Sequence, residues 1–142
     1  MSKSGSCLCG AVSYQLSAEP NEFGACHCDM CRKWSGGIYL GLEVPRDGVE
    51  ISGADSLTTY PSSPWAERAF CKTCGSSVYY RVTAPGPHEG TYHFGVGMLD
   101  DAGGAALTGE LFIDNKPKGY SFAEKTHQMT PQEVMEMFAP PE

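Results

Sequence analysis

The chain has 142 residues, 41% of them hydrophobic, and a formal charge of −7 at neutral pH, which suits one domain with a core of its own. Its acidic balance argues against nucleic-acid binding, because a phosphate backbone must be met by lysine and arginine, and Arg32-Lys33 is the one basic pair of note. No apolar run approaches the ~20 residues of a membrane span, and the opening MSKSGSCLCG lacks the apolar stretch of a signal peptide, so a cytoplasmic protein without a membrane partner is expected.

Short strands dominate the predicted elements. Val12, Tyr14 and Leu16 alternate with Ser13 and Gln15, the pattern of a half-buried strand. Further strands are expected over 38–44, 50–52, 57–60, 67–70, 77–82, 91–96 and 110–114. Pro45-Arg46-Asp47-Gly48, Pro61-Ser62-Ser63-Pro64 and Ala84-Pro85-Gly86-Pro87 read as turns between them. Seventeen glycines and ten prolines leave little room for long helices. One helix is expected over about 130–138, with Thr130 as N-cap, Pro131 at the first helical position and Glu133 three residues after the cap. Val134, Met137 and Phe138 would share its apolar face. The sum is a mainly β fold in a single domain over 1–142.

The seven cysteines carry the chemistry, because they fall in three tight groups: Cys7 and Cys9, then Cys26, Cys28 and Cys31, then Cys71 and Cys74. An odd number leaves at least one thiol outside any disulfide framework, and clustered cysteines in a reducing compartment point to metal or redox work. Structural zinc takes four thiolate or imidazole ligands, and catalytic zinc takes three plus an open position. Four outer and three central cysteines divide into those two numbers. Gly10 follows Cys9 and Gly75 follows Cys74, where tight turns are needed. A four-thiolate site shared by two distant loops would couple metal binding to folding. For the central triplet, the fourth ligand is either a histidine such as His27, which closes the site, or water or substrate, which leaves it reactive. His27, lying between two ligands, is expected to point away from the metal they share. An open zinc position suits a substrate thiol, which is deprotonated on coordination.

Other residues carry weaker signals. His88 reads as a loop residue, His93 as core or pocket lining, and His127 as solvent-facing. Trp34, Tyr39 and Phe94 fit either a pocket or plain core, and Asp100-Asp101 before Gly103-Gly104 fits turn chemistry.

Three stretches in order, CLCGAVSY from Cys7, CHCDMCRKWSG from Cys26 and FCKTCGS from Phe70, resemble the glutathione-dependent formaldehyde-activating enzyme family, whose domain is shared with centromere protein V. Gly97-Met98-Leu99-Asp100 and Leu111-Phe112-Ile113-Asp114 are later landmarks of the same resemblance. It covers about 7–120, the expected core, and leaves the helix in a C-terminal extension. It implies a β-tent fold of small antiparallel sheets around zinc, two zinc ions per chain, and a carbon–sulfur lyase activity. Carried over, Cys7, Cys9, Cys71 and Cys74 hold the structural zinc, while Cys26, Cys28 and Cys31 are the catalytic zinc site. The implied reaction adds the glutathione thiol reversibly to formaldehyde or another small aldehyde, giving S-hydroxymethylglutathione. Arg32 and Lys33 are then candidates to pair with the carboxylates of a peptide thiol. The chain departs from the family at Glu110, where histidine is common, and at Tyr120, near the place of a usual tryptophan. A non-enzymatic zinc scaffold on the same fold is the alternative, and a dithiol couple at Cys28/Cys31 or Cys71/Cys74 is a further one, without the βαβ pattern that would accompany it.

Overall fold

The computed structural model describes residues 3–138, with the side chain of Phe138 outside the described part. Eleven strands and two helices succeed one another as β1 Ser4–Ser6, β2 Ser13–Leu16, β3 Glu22–Cys26, α1 Asp29–Ser35, β4 Tyr39–Val44, β5 Val49–Ser52, β6 Leu57–Ser63, β7 Ala66–Cys71, β8 Ser77–Val82, β9 Tyr92–Gly95, β10 Ala106–Leu111, β11 His127–Met129 and α2 Pro131–Phe138. The mainly β expectation holds. A three-stranded sheet runs β1-β2-β5, and an eight-stranded sheet runs β11-β10-β3-β4-β9-β8-β7-β6. Most ladders are antiparallel, but β10 lies parallel to both β3 and β11, which an all-antiparallel arrangement does not anticipate. No helix among the described residues is long and apolar enough to cross a membrane.

The two sheets meet on one core. Tyr14 and Leu16 of β2, spaced two apart, are buried while Gln15 between them is exposed, the period-2 pattern of a strand with one wet face. They pack with Leu42, Val44, Val78, Tyr79 and Phe94 from the large sheet. The rings of Tyr14 and Phe94 lie 4.4 Å apart, a contact that joins the sheets across the core. Cys7 and Cys71 sit in the same cluster, so the outer cysteines are placed at the seam.

Several boundaries differ from expectation for identifiable reasons. Pro61, Ser62 and Ser63 are not a turn: β6 continues through them to Ser63, and the reversal is confined to Pro64-Trp65. β6 is the edge of its sheet, where a proline without an N–H costs no ladder bond. The strand expected over 110–114 is displaced toward the N-terminus. It stops at Leu111 because Phe112 takes a left-handed conformation, φ 57°, and a 3₁₀ turn follows over Ile113–Asn115. The expectation of a single helix is corrected by α1.

The C-terminal helix is capped as its sequence implies. The Glu133 N–H donates to Thr130 Oγ1 at 3.2 Å, and the Thr130 N–H donates to Glu133 Oε1 at 3.1 Å, a reciprocal capping box. Val134 is its buried anchor at 2% exposure, whereas Met137 is exposed.

Candidate functional site

The outer cysteines come together from two loops of the same construction. Cys7 N–H donates to Val12 O and Gly10 N–H to Cys7 O; in the second loop Cys71 N–H donates to Ser76 O and Gly75 N–H to Cys71 O. Gly10 and Gly75 both sit at positive φ, 82° and 79°, with open space where a Cβ would stand. Backbone conformation rather than crowding therefore demands glycine there. Ser76 ties the loops to each other: Leu8 N–H donates to its Oγ at 3.1 Å, and its hydroxyl reaches Cys74 Sγ at 3.2 Å. Hydrogen bonds from Ser76 hold the Cys74 thiol down to about 5.

The four sulfurs of Cys7, Cys9, Cys71 and Cys74 all lie within 4.8 Å of one another. Cys7 and Cys9 sulfurs are 3.6 Å apart, and those of Cys9 and Cys71 are 3.8 Å apart. Disulfide sulfurs would be about 2.05 Å apart, whereas thiolates about 2.3 Å from one tetrahedral zinc are about 3.8 Å apart. The donor set and its edges fit a metal ion, and no disulfide is formed.

The central triplet is built by the β3–α1–β4 connection. Cys26 ends β3, paired in register with Tyr39 of β4 and Leu111 of β10. Cys28 is the N-cap of α1, its sulfur accepting from Cys31 N–H at 3.3 Å. Cys31, one turn on, is buried at 6% exposure. Gly36 closes the helix at φ 79°, donating its N–H to Arg32 O, a left-handed C-cap. The three sulfurs lie within 4.8 Å of one another, with no further histidine, aspartate or glutamate joining them among the described residues. Hydrogen bonding from Cys26 and Cys31 pulls the Cys28 thiol far below its usual range, and the same crowding pushes Cys26 up. Such a set of competing thiols is discharged by a cation, which fits a metal site with three protein donors.

His27 does not join the triplet. Its ring is buried, and its Nε2–H donates to Glu110 Oε1 at 2.8 Å. Glu110 also accepts from Thr126 Oγ1 at 2.5 Å and Gln128 Nε2 at 3.5 Å. Burial alone would raise the Glu110 carboxyl, but bonds from Thr126, His27 and Gln128 outweigh it and hold the group below the usual carboxylate range. His88 lies in the β8–β9 loop, and His127 is exposed on β11. His93 is on β9 against Tyr80, its backbone carbonyl accepting from Tyr39 OH at 2.5 Å. Phe94 is plain core, and Tyr39 is buried. Asp101 Oδ1 accepts from Gly103 N–H at 3.0 Å, the expected turn chemistry.

Two features escape a reading of motifs. Arg68, buried on β7, brings Nη1 and Nη2 each to 3.7 Å from Cys31 Sγ. An arginine in a strand that ends at a cysteine pair is the only sequence signal for it. A cleft of about 600 Å³ opens beside α1, bordered by Arg32, Lys33, Ile38, Pro117 and Tyr120. Arg32 and Lys33 thus face a concave surface beginning one residue beyond Cys31.

The sequence profile of the glutathione-dependent formaldehyde-activating enzyme family matches residues 2–115. A Schizosaccharomyces pombe protein described as an uncharacterized lyase is 30% identical over 131 residues, covering 92% of this chain and 93% of its own. A Halomonas elongata protein that bears the family's name is 32% identical over 122 residues, covering 80% of this chain and 76% of its own. A crystal structure of a Rhodobacter sphaeroides protein superposes with a TM-score of 0.56 at 26% identity, covering 74% of this chain and 99% of that one.

Proposed function

Because the chain belongs to the glutathione-dependent formaldehyde-activating enzyme family, we propose that it is a zinc-dependent carbon–sulfur lyase. In this reading it adds a glutathione-type thiol reversibly to formaldehyde or a similar small aldehyde, giving S-hydroxymethylglutathione. The observation that carries the proposal is the difference between the two cysteine clusters. Cys7, Cys9, Cys71 and Cys74 offer four sulfurs, a complete set for a closed structural site. Cys26, Cys28 and Cys31 offer three, which leaves one position for a substrate sulfur.

Zinc at the triplet would supply Lewis acidity, favouring the thiolate form of a bound thiol at neutral pH. The residues of the chain account for the rest. Cys26, Cys28 and Cys31 set where the incoming sulfur sits. Arg32 and Lys33, on the border of the adjacent cleft, attract the carboxylates of a peptide thiol. The thiol proton leaves to solvent, the sulfur forms a bond to the carbonyl carbon as the carbonyl π bond opens, and the oxygen takes up a proton. Holding both reactants beside the triplet would make that addition effectively intramolecular.

The test is exchange spectroscopy of labelled formaldehyde with glutathione at equilibrium. The two-zinc protein should accelerate exchange above the spontaneous rate, and a Cys28→Ser variant should not. No acceleration by fully metallated protein would leave the non-enzymatic zinc scaffold as the reading.

A further inference from the structure

Arg68 is the one buried arginine or lysine among the described residues, at 2% exposure. Burying a guanidinium is costly unless it is paired. Its chain neighbour Glu67 pairs with Arg81 instead. Arg68 Nε donates to Ser62 Oγ at 3.2 Å. Its guanidinium carbon lies over two aromatic rings, Trp34 of α1 at 5.0 Å and Tyr80, its cross-strand neighbour, at 4.9 Å. Both terminal nitrogens are directed at Cys31 Sγ.

The charge balance of the two clusters then differs. Four thiolates around a divalent ion carry two net negative charges, and the outer four are met by Val12 N–H and Ser76 instead of a guanidinium. Three thiolates around a divalent ion carry one negative charge, which Arg68 cancels. A fourth, anionic sulfur approaching the triplet therefore meets a neutral centre with Arg68 in place and a like charge without it.

We propose that Arg68 is a positioning residue that holds Cys31 Sγ with both arms of its fork and makes the three-cysteine centre receptive to an anionic sulfur as fourth ligand. The inference rests on the reading of the triplet as a metal site. It does not depend on which aldehyde or thiol is the natural substrate.

Cobalt(II) is the probe, loaded into the triplet of protein whose outer site holds zinc, with sulfur-to-cobalt charge-transfer absorption as the readout. 2-Mercaptoethanol, which has no carboxylate for Arg32 or Lys33, is the titrant. Arg68→Met keeps an apolar side chain against the two rings and removes the charge. Its half-saturating thiol concentration should rise about tenfold or more, the scale of a charge-assisted hydrogen bond. Arg68→Lys, a point charge without the fork, should fall between it and the wild type. A folded Arg68→Met protein with wild-type thiol affinity overturns the proposal. If that variant does not fold, Arg68→Lys decides: a loss of about threefold or more supports the proposal, and wild-type affinity overturns it. Wild-type protein that takes no cobalt at the triplet removes the metal reading as a whole, whereas normal loading with unchanged thiol affinity removes this inference alone.

Discussion

His27 Nε2 lies 2.8 Å from Glu110 Oε1, so the residue between two triplet cysteines turns its ring away from them and onto β10. The same carboxylate accepts from Thr126 just before β11. One buried acid thus links the cysteine loop to the C-terminal strand, and Ala25, two residues before His27, is its ladder partner.

Removing that acid should be expensive. Glu110→Ala leaves the His27 N–H buried without an acceptor, a penalty of about 1–3 kcal/mol, while Glu110→Gln keeps an acceptor and should cost less. Chemical denaturation of metallated protein measures both, and equal stability of Glu110→Ala and wild type would contradict the pairing.

The pairing also predicts a pH dependence. The folded Glu110 carboxyl is held below its usual value, so its contribution is fully present above the unfolded value of about 4.3. It is lost as the pH falls through the lower folded value. Wild type should therefore lose stability relative to Glu110→Gln between pH 5 and more acid conditions, and denaturation midpoints of the pair across that range should converge. Parallel midpoints would contradict it.

The two cysteine clusters should fail differently. Cys71 is fully buried in the core at the seam of the sheets, so Cys71→Ser should impair folding along with metal binding. Cys28→Ser should leave a folded protein short of one metal, because Cys28 is only partly buried and α1 is a seven-residue connection with one buried side chain, Cys31. Circular dichroism with metal analysis reads both, and equal loss of structure would contradict the division.

Among the described side chains of the C-terminal helix, Val134 is the buried one. Val134→Ala should cost about 1–2 kcal/mol, two buried methyl groups' worth, while Met135→Ala, exposed, should stay within about 0.5 kcal/mol.

What was legible in the chain follows from how local each signal is. The cysteine groups stand out because metal donors need close spacing, and the structure draws Cys7 and Cys9 to Cys71 and Cys74 as that spacing implies. The capping box of α2 is equally local. α1 was not legible: its seven residues hold one buried side chain, Cys31, so no apolar period announces it, and its cap is a cysteine sulfur. β3 and β11 were missed because their parallel pairing with β10 is set by distant chain. Arg68 and Glu110 acquire their roles only through partners 37 and 83 positions away, which no window along the sequence contains. Glu110 stands out in the sequence only as a departure from the resemblance, and its partner His27 becomes visible in the fold.

The central claim is that the triplet accepts a substrate sulfur as a thiolate. Calorimetry of glutathione binding to the two-zinc protein, repeated in buffers of different ionisation enthalpy, tests it directly. The account predicts about one proton released per glutathione bound, no such release with Cys28→Ser, and weaker binding of S-methylglutathione, which has no thiolate to offer. Binding of glutathione without proton release, or equal binding of its S-methyl derivative, would contradict it.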